Sequence, residues 1–305
     1  MEKRRRIIKF DLAAKTLSLV GCRVIRNEPL SNHCSLNIGG AAEFFIEIPN
    51  ERSLVFFLNS VLADNYLVLG EGTNVLFPDE GYRGTVIRFT GIFKSISISK
   101  NEILSGGGAL LSNVLKIALK SNLPGLEFVT GIPGTVGGAV YGNVGNRDEW
   151  ISTVVKTVEI YKNLKKECLS KDKLNFSYRK SNLENCLITK VNFSLENETK
   201  TANLQKIFKN IQKRLETQPS NTPSAGSIFK NPDGYSAGKL IEEIGLKGKR
   251  IGNAKIDEIH GNFIVNTGGA SSKDVIALIH LIKKNVAEKF NINLETEVKI
   301  INDRN

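Results

Sequence analysis

Between residues 131 and 145 the chain reads Gly131-Ile-Pro-Gly-Thr-Val-Gly-Gly-Ala-Val-Tyr-Gly-Asn-Val-Gly145, six glycines in fifteen residues. Fixing a glycine removes more backbone freedom than fixing any other residue, so a folded chain gathers this many only where backbone must lie close to something. An ordinary loop has no such need, whereas backbone laid against a large ligand does. Pro133 stiffens the approach and Thr135 adds a hydroxyl. A second run, Leu69-Gly-Glu-Gly-Thr-Asn-Val75, follows a short apolar stretch. Successive N–H groups in such a turn form a nest that fits a phosphate, and Thr73 and Asn74 bring side-chain donors. A tight strand-to-strand turn is the alternative. Neither run is a dinucleotide fingerprint opening a helix, and neither ends in the Gly-Lys-Ser/Thr of a nucleotide-binding loop. Two glycine nests in one domain suit a ligand that carries a diphosphate.

The 305 residues allow two domains, enough to bury a core without staples. Polar residues interrupt every apolar stretch, so no membrane span is expected. The basic start, Met1-Glu-Lys-Arg-Arg-Arg6, has no apolar segment after it, and no secretory signal is read. The four cysteines, Cys22, Cys34, Cys168 and Cys186, form no C-x-x-C pair and are expected as free thiols. The three histidines are scattered, and no metal is predicted. The net charge of +11 is spread over 3–9, 162–173, 179–180, 206–214 and 247–255 without an aromatic platform, which disfavours nucleic acid as a partner.

Apolar spacing predicts helices over 51–64, 110–120, 204–216, 237–244 and 273–290. Alternation predicts strands over 153–161 and 186–193, and 66–69 (buried), 85–89, 95–99, 263–265 and 297–301 also read as strands. Residues 218–226 read as a turn-rich loop. The composition changes near 200. This suggests a glycine-rich part over 1–199, itself split near 80–90, and a smaller α/β part over 200–305 whose last strand packs back on the N-terminal part.

Three further motifs carry chemistry. In Ser177-Tyr-Arg-Lys180 an arginine at a strand edge either clamps a carboxylate or lies on the surface. In Ala225-Gly-Ser-Ile-Phe-Lys-Asn-Pro232, Ser227 either caps a turn or delivers a proton to a carbanion. No nucleophile elbow is present, so a hydrolase triad is unsupported. In Leu294-Glu-Thr-Glu-Val298 the two acids share a strand face by period-2 alternation, and spacing does not choose between them.

In this order the motifs resemble the UDP-N-acetylenolpyruvoylglucosamine reductase family. The resemblance runs from about residue 32 to 303 and is carried by Asn37-Ile-Gly-Gly40 and by 69–81, 126–145, 177–180, 226–232, 237–266 and 294–301. It implies an α+β fold, with an FAD-binding domain of vanillyl-alcohol-oxidase type made of two α+β subdomains, followed by a smaller α/β substrate-binding domain. It places FAD against Leu69, Gly70, Glu71, Gly72, Thr73, Asn74, Val75, Ile132, Pro133, Gly134, Thr135, Gly137, Gly138, Ala139 and Asn143. The family's reaction uses NADPH as co-substrate to reduce an enolpyruvyl double bond on a UDP-sugar, a step towards bacterial peptidoglycan. By matching position, Arg179 would polarise the substrate carboxylate, Ser227 would donate the proton and Glu297 would complete the carboxylate-side network. Such a glutamate is comfortable there only when protonated or bridged by an arginine. Tyr178, Lys230, Asn231 and Lys239 would contact the UDP-sugar. The implied protein is a cytoplasmic monomer with a small-molecule partner, no nucleic acid and no membrane insertion.

Two departures stand out. After the second glycine run the family's Asn-Ala-Gly-Ala-Tyr-Gly is here Asn143-Val-Gly-Asn-Arg-Asp148, with Arg147 replacing the tyrosine. Thr73 stands where serine is usual and keeps the hydroxyl. No long insertion follows Arg179, as in the family's shorter subtype. An oxidase of the same flavoprotein superfamily would explain the glycine-rich half equally well but not 226–232 together with 294–298. A basic nucleic-acid-binding protein would leave both glycine runs unexplained.

Overall fold

The computed structural model describes residues 2–146, 148–195, 204–220 and 222–302, so Arg147 lies outside the described residues. They pack as two compact units. The first holds the chain up to Arg26, Phe44–Gly70 and Gly84–Ile211; the second holds Asn27–Glu43, Glu71–Arg83 and the chain from Gln212 onward. The division is therefore not a single cut near 200. The two early segments belong with the C-terminal residues because their apolar side chains, Leu36, Ile38 and Leu76, share one buried cluster with Ile228, Ile264 and Val298.

The first unit has two cores. One lies under the helices Glu2–Leu19 and Glu51–Leu58 and joins Leu17, Leu54 and Phe57 to Phe44, Ile46, Ile87 and Phe89. Its sheet runs in the order Arg23–Pro29, Ala41–Ile48, Tyr82–Phe89, Tyr66–Val68. The last strand is parallel to its neighbour, with Val68 opposite Ile87. The predicted helix over 51–64 stops at Leu58 and resumes as the single turn Val61–Ala63. The cause is local: the Asn59 amide donates to the Val55 carbonyl and the Ser60 hydroxyl to that of Phe57, which competes with the helical ladder. The strand Tyr66–Val68 is also less covered than predicted, because it lies at the sheet edge and Val68 is 41% exposed.

The other core sits on a five-stranded antiparallel sheet in the order Ile96–Ser99, Glu102–Gly106, Leu187–Ser194, Val155–Lys162, Lys165–Ser170. Val158, Ile160, Val191 and Phe193 meet Val114 and Ala118 of the helix Leu111–Lys120 and Val136 and Val140 of the short helix Val136–Tyr141. That short helix lies inside the glycine run, where the sequence predicts backbone laid on a ligand. Thr135 starts it by accepting a hydrogen bond from the Gly138 N–H.

The second unit is an antiparallel sheet in the order Ser224–Ser227, Phe263–Asn266, Ala254–Ile256, Arg250–Ile251, backed by the helices Ala237–Glu243 and Ser272–Phe290. The long helix buries Val275, Leu278, Ile279, Ile282 and Val286, an apolar stripe at helical spacing. Ser271 and Asp274 form a capping box at its start, and Asn291 closes it in the left-handed region. The backbone hydrogen bond from Ser271 holds the Asp274 carboxyl below its ordinary range. The last strand, Lys299–Ile300, is shorter than predicted and pairs in parallel with Val75–Leu76.

All four cysteines are free thiols. Among the described residues no helix is long and apolar enough to cross a membrane.

Candidate active site

Leu69 and Gly70 end the parallel strand of the first unit, where the Leu69 N–H donates to the Ile87 carbonyl. The rest of the first glycine motif belongs to the second unit. Among the described residues, none of the four successive N–H groups of Glu71, Gly72, Thr73 and Asn74 donates to a protein acceptor. Four unused donors in one tight loop are what an anionic phosphate requires, and in this respect the loop fits the diphosphate of FAD. The loop is held from behind. The Gly72 carbonyl accepts from the Ser35 N–H at 3.0 Å, and the Ser35 hydroxyl donates to the Ser224 carbonyl at 2.6 Å. The Asn74 amide donates to the Glu297 carbonyl at 3.2 Å. Val75 begins the strand that pairs with the C-terminal one.

The second glycine run divides its donors differently. The first three N–H groups of its helix are occupied within the protein: Val136 donates to Ala109, Gly137 to Gly107 and Gly138 to the Thr135 hydroxyl. Only Gly would fit at 137, where a Cβ would lie 2.9 Å from the Gly107 carbonyl oxygen. Part of the glycine richness therefore serves backbone packing. Gly134 and Thr135, by contrast, make no N–H contact to a protein acceptor among the described residues, and Pro133 and Gly138 are exposed. Ile132 is half-buried against the core. Ala139 packs into the core, and buried Asn143 has a separate job.

That job is to hold the arginine motif. Phe176–Ser177 and Lys180–Ser181 form a hairpin with Tyr178 and Arg179 as its two-residue loop. Asn143 donates to the Ser177 carbonyl at 3.0 Å and accepts from the Ser152 N–H at 3.3 Å. The Ser181 hydroxyl donates to the Tyr141 carbonyl at 2.8 Å. Arg179 sits at φ 56°, a loop position normally left to Gly or Asn. Its guanidinium donates to the Gly145 carbonyl at 3.2 Å and lies 5.5 Å from the Trp150 ring and 5.4 Å from that of Tyr178. An arginine kept in a strained backbone conformation and flanked by two rings is positioned, not merely solvated. Replacing Asn143 with alanine is expected to cost about 1–3 kcal/mol, the usual loss when buried hydrogen-bonding groups lose their partner. It should also speed amide exchange at 178–180, measurable by mass spectrometry. Exchange unchanged in the hairpin would show that Asn143 does not hold it.

In the second unit, Ser227 ends the strand Ser224–Ser227 opposite Phe263, after a register shift. Gly226, at φ 73°, makes that shift possible, since a side chain there would be strained. The segment after Ser227 is fastened twice. Buried Asn262 accepts from the Phe229 N–H at 2.9 Å and donates to its carbonyl at 2.8 Å, and the Ile228 carbonyl accepts from the Glu297 N–H at 2.8 Å. Ser227 and Glu297, distant in sequence, thus stand on adjoining backbone. The Asn262 N–H donates to His260 Nδ1 at 3.1 Å. Burial lowers the His260 pKa, which favours the neutral ring that can accept this bond.

The structure also separates the two C-terminal acids. They do not lie on one regular strand, because only Thr296 makes an isolated bridge, to Phe229. Glu295 is exposed and pairs with Lys230 at 2.6 Å, while Glu297 is half-buried. Asn231 accepts from the Ala237 N–H at the start of the following helix, whose cap is Ser236, and Lys239 is exposed on that helix. Trp150, Ser35 and Asn262 were not legible as site residues, since each acts through contacts distant in sequence.

Residues 61–162 match the FAD binding domain family, and residues 218–301 match the C-terminal domain of UDP-N-acetylenolpyruvoylglucosamine reductase. Together with the α+β architecture, these matches define a flavoprotein of vanillyl-alcohol-oxidase type. The UDP-N-acetylenolpyruvoylglucosamine reductase of Bacillus licheniformis is 42% identical, over 92% of this chain and 95% of its own. That of Bacillus subtilis is 41% identical over 92% and 94%. The solved structure of the Thermus caldophilus enzyme of that name is 34% identical and covers 92% of this chain and 99% of its own, with a TM-score of 0.78. The chain belongs to the UDP-N-acetylenolpyruvoylglucosamine reductase family.

Proposed function

We propose that this chain reduces the enolpyruvyl double bond of UDP-N-acetylglucosamine enolpyruvate at the expense of NADPH, giving UDP-N-acetylmuramate for peptidoglycan. The balance is one hydride from NADPH to the substrate β-carbon and one proton to the α-carbon. FAD, when bound, supplies the relay that lets two substrates exchange a hydride without meeting. The open donors of Glu71–Asn74 would hold its diphosphate, with the exposed backbone near Gly134 and Gly138 against the rest.

Hydride arrival at the β-carbon leaves negative charge on the α-carbon and carboxylate. Stabilising it needs a fixed cation and a proton source. Arg179 is assigned the first role, because its strained loop and flanking rings fix the guanidinium before any substrate arrives. Ser227 is assigned the second, and Glu297 is assigned to the carboxylate-side hydrogen bonds. Tyr178, Lys230, Asn231 and Lys239 are assigned to the UDP-sugar. Lys230 would then exchange its present partner Glu295 for an anionic group of the substrate. All of these roles are assigned to residues of one chain, and the reading takes the protein as a cytoplasmic monomer. The observation that carries the reading is the fastening of the Ser227 segment to Glu297 by the Ile228 carbonyl, which explains why these two motifs go together.

The test is an anaerobic experiment in one cuvette. The FAD-loaded protein should bleach with NADPH and regain the oxidised spectrum when UDP-N-acetylglucosamine enolpyruvate is added. Bleaching without recovery would overturn the substrate assignment, and, in a separate aerobic assay, oxygen consumption in place of NADPH turnover would indicate an oxidase.

A further inference from the structure

Side chains of the strand Tyr82–Phe89 alternate between two faces. Ile87 and Phe89 enter the core beside Phe44 and Ile46. Val86 and Arg88 therefore point to the opposite face, where Arg88 meets Phe45, with its guanidinium carbon 5.6 Å from the ring centroid. Phe45 and Val86 are fully buried yet belong to none of the unit's apolar clusters. Arg88 Nε is buried without a partner, and among the described residues the side chain makes no hydrogen bond or ion pair. A buried cationic N–H without an acceptor is costly to maintain. Where one persists, an acceptor from outside the chain is the economical explanation.

Its position suggests which. Val68 is paired with Ile87, and the Leu69 N–H donates to the Ile87 carbonyl at 2.8 Å, so Arg88 stands one residue beyond the pairing that leads into Gly70. A Cβ on Gly70 would lie 2.6 Å from the Thr135 hydroxyl, so this end of the strand meets the second glycine run within the first unit. The planar guanidinium fork matches phosphate oxygens, and the ring beneath it keeps the fork flat.

We propose that Arg88 is a cofactor-anchoring residue whose guanidinium pairs with a phosphate oxygen of the flavin dinucleotide. This rests on the flavoprotein reading above. It takes no part in hydride or proton transfer.

The experiment titrates flavin-free protein with FAD and, separately, with riboflavin, which lacks phosphate, and follows flavin fluorescence. Arg88→Met should weaken FAD binding by about 10- to 100-fold, the range for a hydrogen bond to a charged group, and leave riboflavin binding unchanged. The salt dependence of FAD binding should also shrink. Unchanged FAD affinity in a variant with the parental circular dichroism would overturn the proposal. So would equal weakening of riboflavin, which would put Arg88 at the ring. Arg88→Gln serves the same comparison should the methionine variant not fold. If the parent protein binds no FAD, the flavoprotein reading itself is what fails.

Discussion

Ser227→Ala is expected to leave bleaching of the flavin by NADPH at the parental rate and to slow recovery of the oxidised spectrum by about 10²–10⁴-fold, the usual worth of a positioned proton donor. The asymmetry follows from what the hydroxyl would do. Hydride delivery to the cofactor needs no proton at a carbon atom, whereas completing the reduced sugar does. The substitution removes a single oxygen from a strand end held by Asn262 and Glu297 through backbone atoms, so those supports survive it. Stopped-flow absorbance separates the two phases. Slowed bleaching, or recovery at the parental rate, would remove Ser227 from the proton-donor role.

Arg179→Gly should separate stability from activity. The left-handed conformation at φ 56° costs a non-glycine residue about 1–3 kcal/mol, and glycine removes that strain. Part of the gain is offset by losing the Gly145 hydrogen bond and the two ring contacts. The melting temperature should therefore stay at or slightly above the parental value, while recovery of the oxidised spectrum slows by about 10²–10³-fold, as when one preorganised charge partner is lost. Arg179→Lys should not restore the rate, because an ammonium presents no planar fork. A large fall in melting temperature with normal turnover would mean that the arginine is kept for packing.

How far this was legible in the sequence differs by element. The helices over 111–120, 237–243 and 272–290 follow from apolar spacing, because each buries one stripe. The helix Val136–Tyr141 does not, since paired glycines are poor helix formers and only the Thr135 cap and the sheet beneath it make the helix form. The glycine count correctly marks close backbone approach, but composition does not divide ligand contact from packing. Only the hydrogen bonds separate Gly137, pressed on Gly107, from the open loop at Glu71–Asn74. The acids at 295 and 297 were equivalent by spacing, and burial with the Lys230 partnership tells them apart. The hold of Asn143 on the hairpin was not legible, because side-chain partners distant in sequence leave no local pattern.

The parallel pairing of Val75–Leu76 with Lys299–Ile300 bears on how the protein is made. Translation at about 5–20 residues per second leaves the early strand waiting roughly 10–45 s for its partner to leave the ribosome. For much of that interval Leu36, Ile38 and Leu76 lack the C-terminal side chains, from Ala225 to Val298, that later cover them. The nascent chain therefore exposes apolar surface until the C-terminal part of this cluster has been made. A stop codon placed just before Ala225 would strand every copy at that stage.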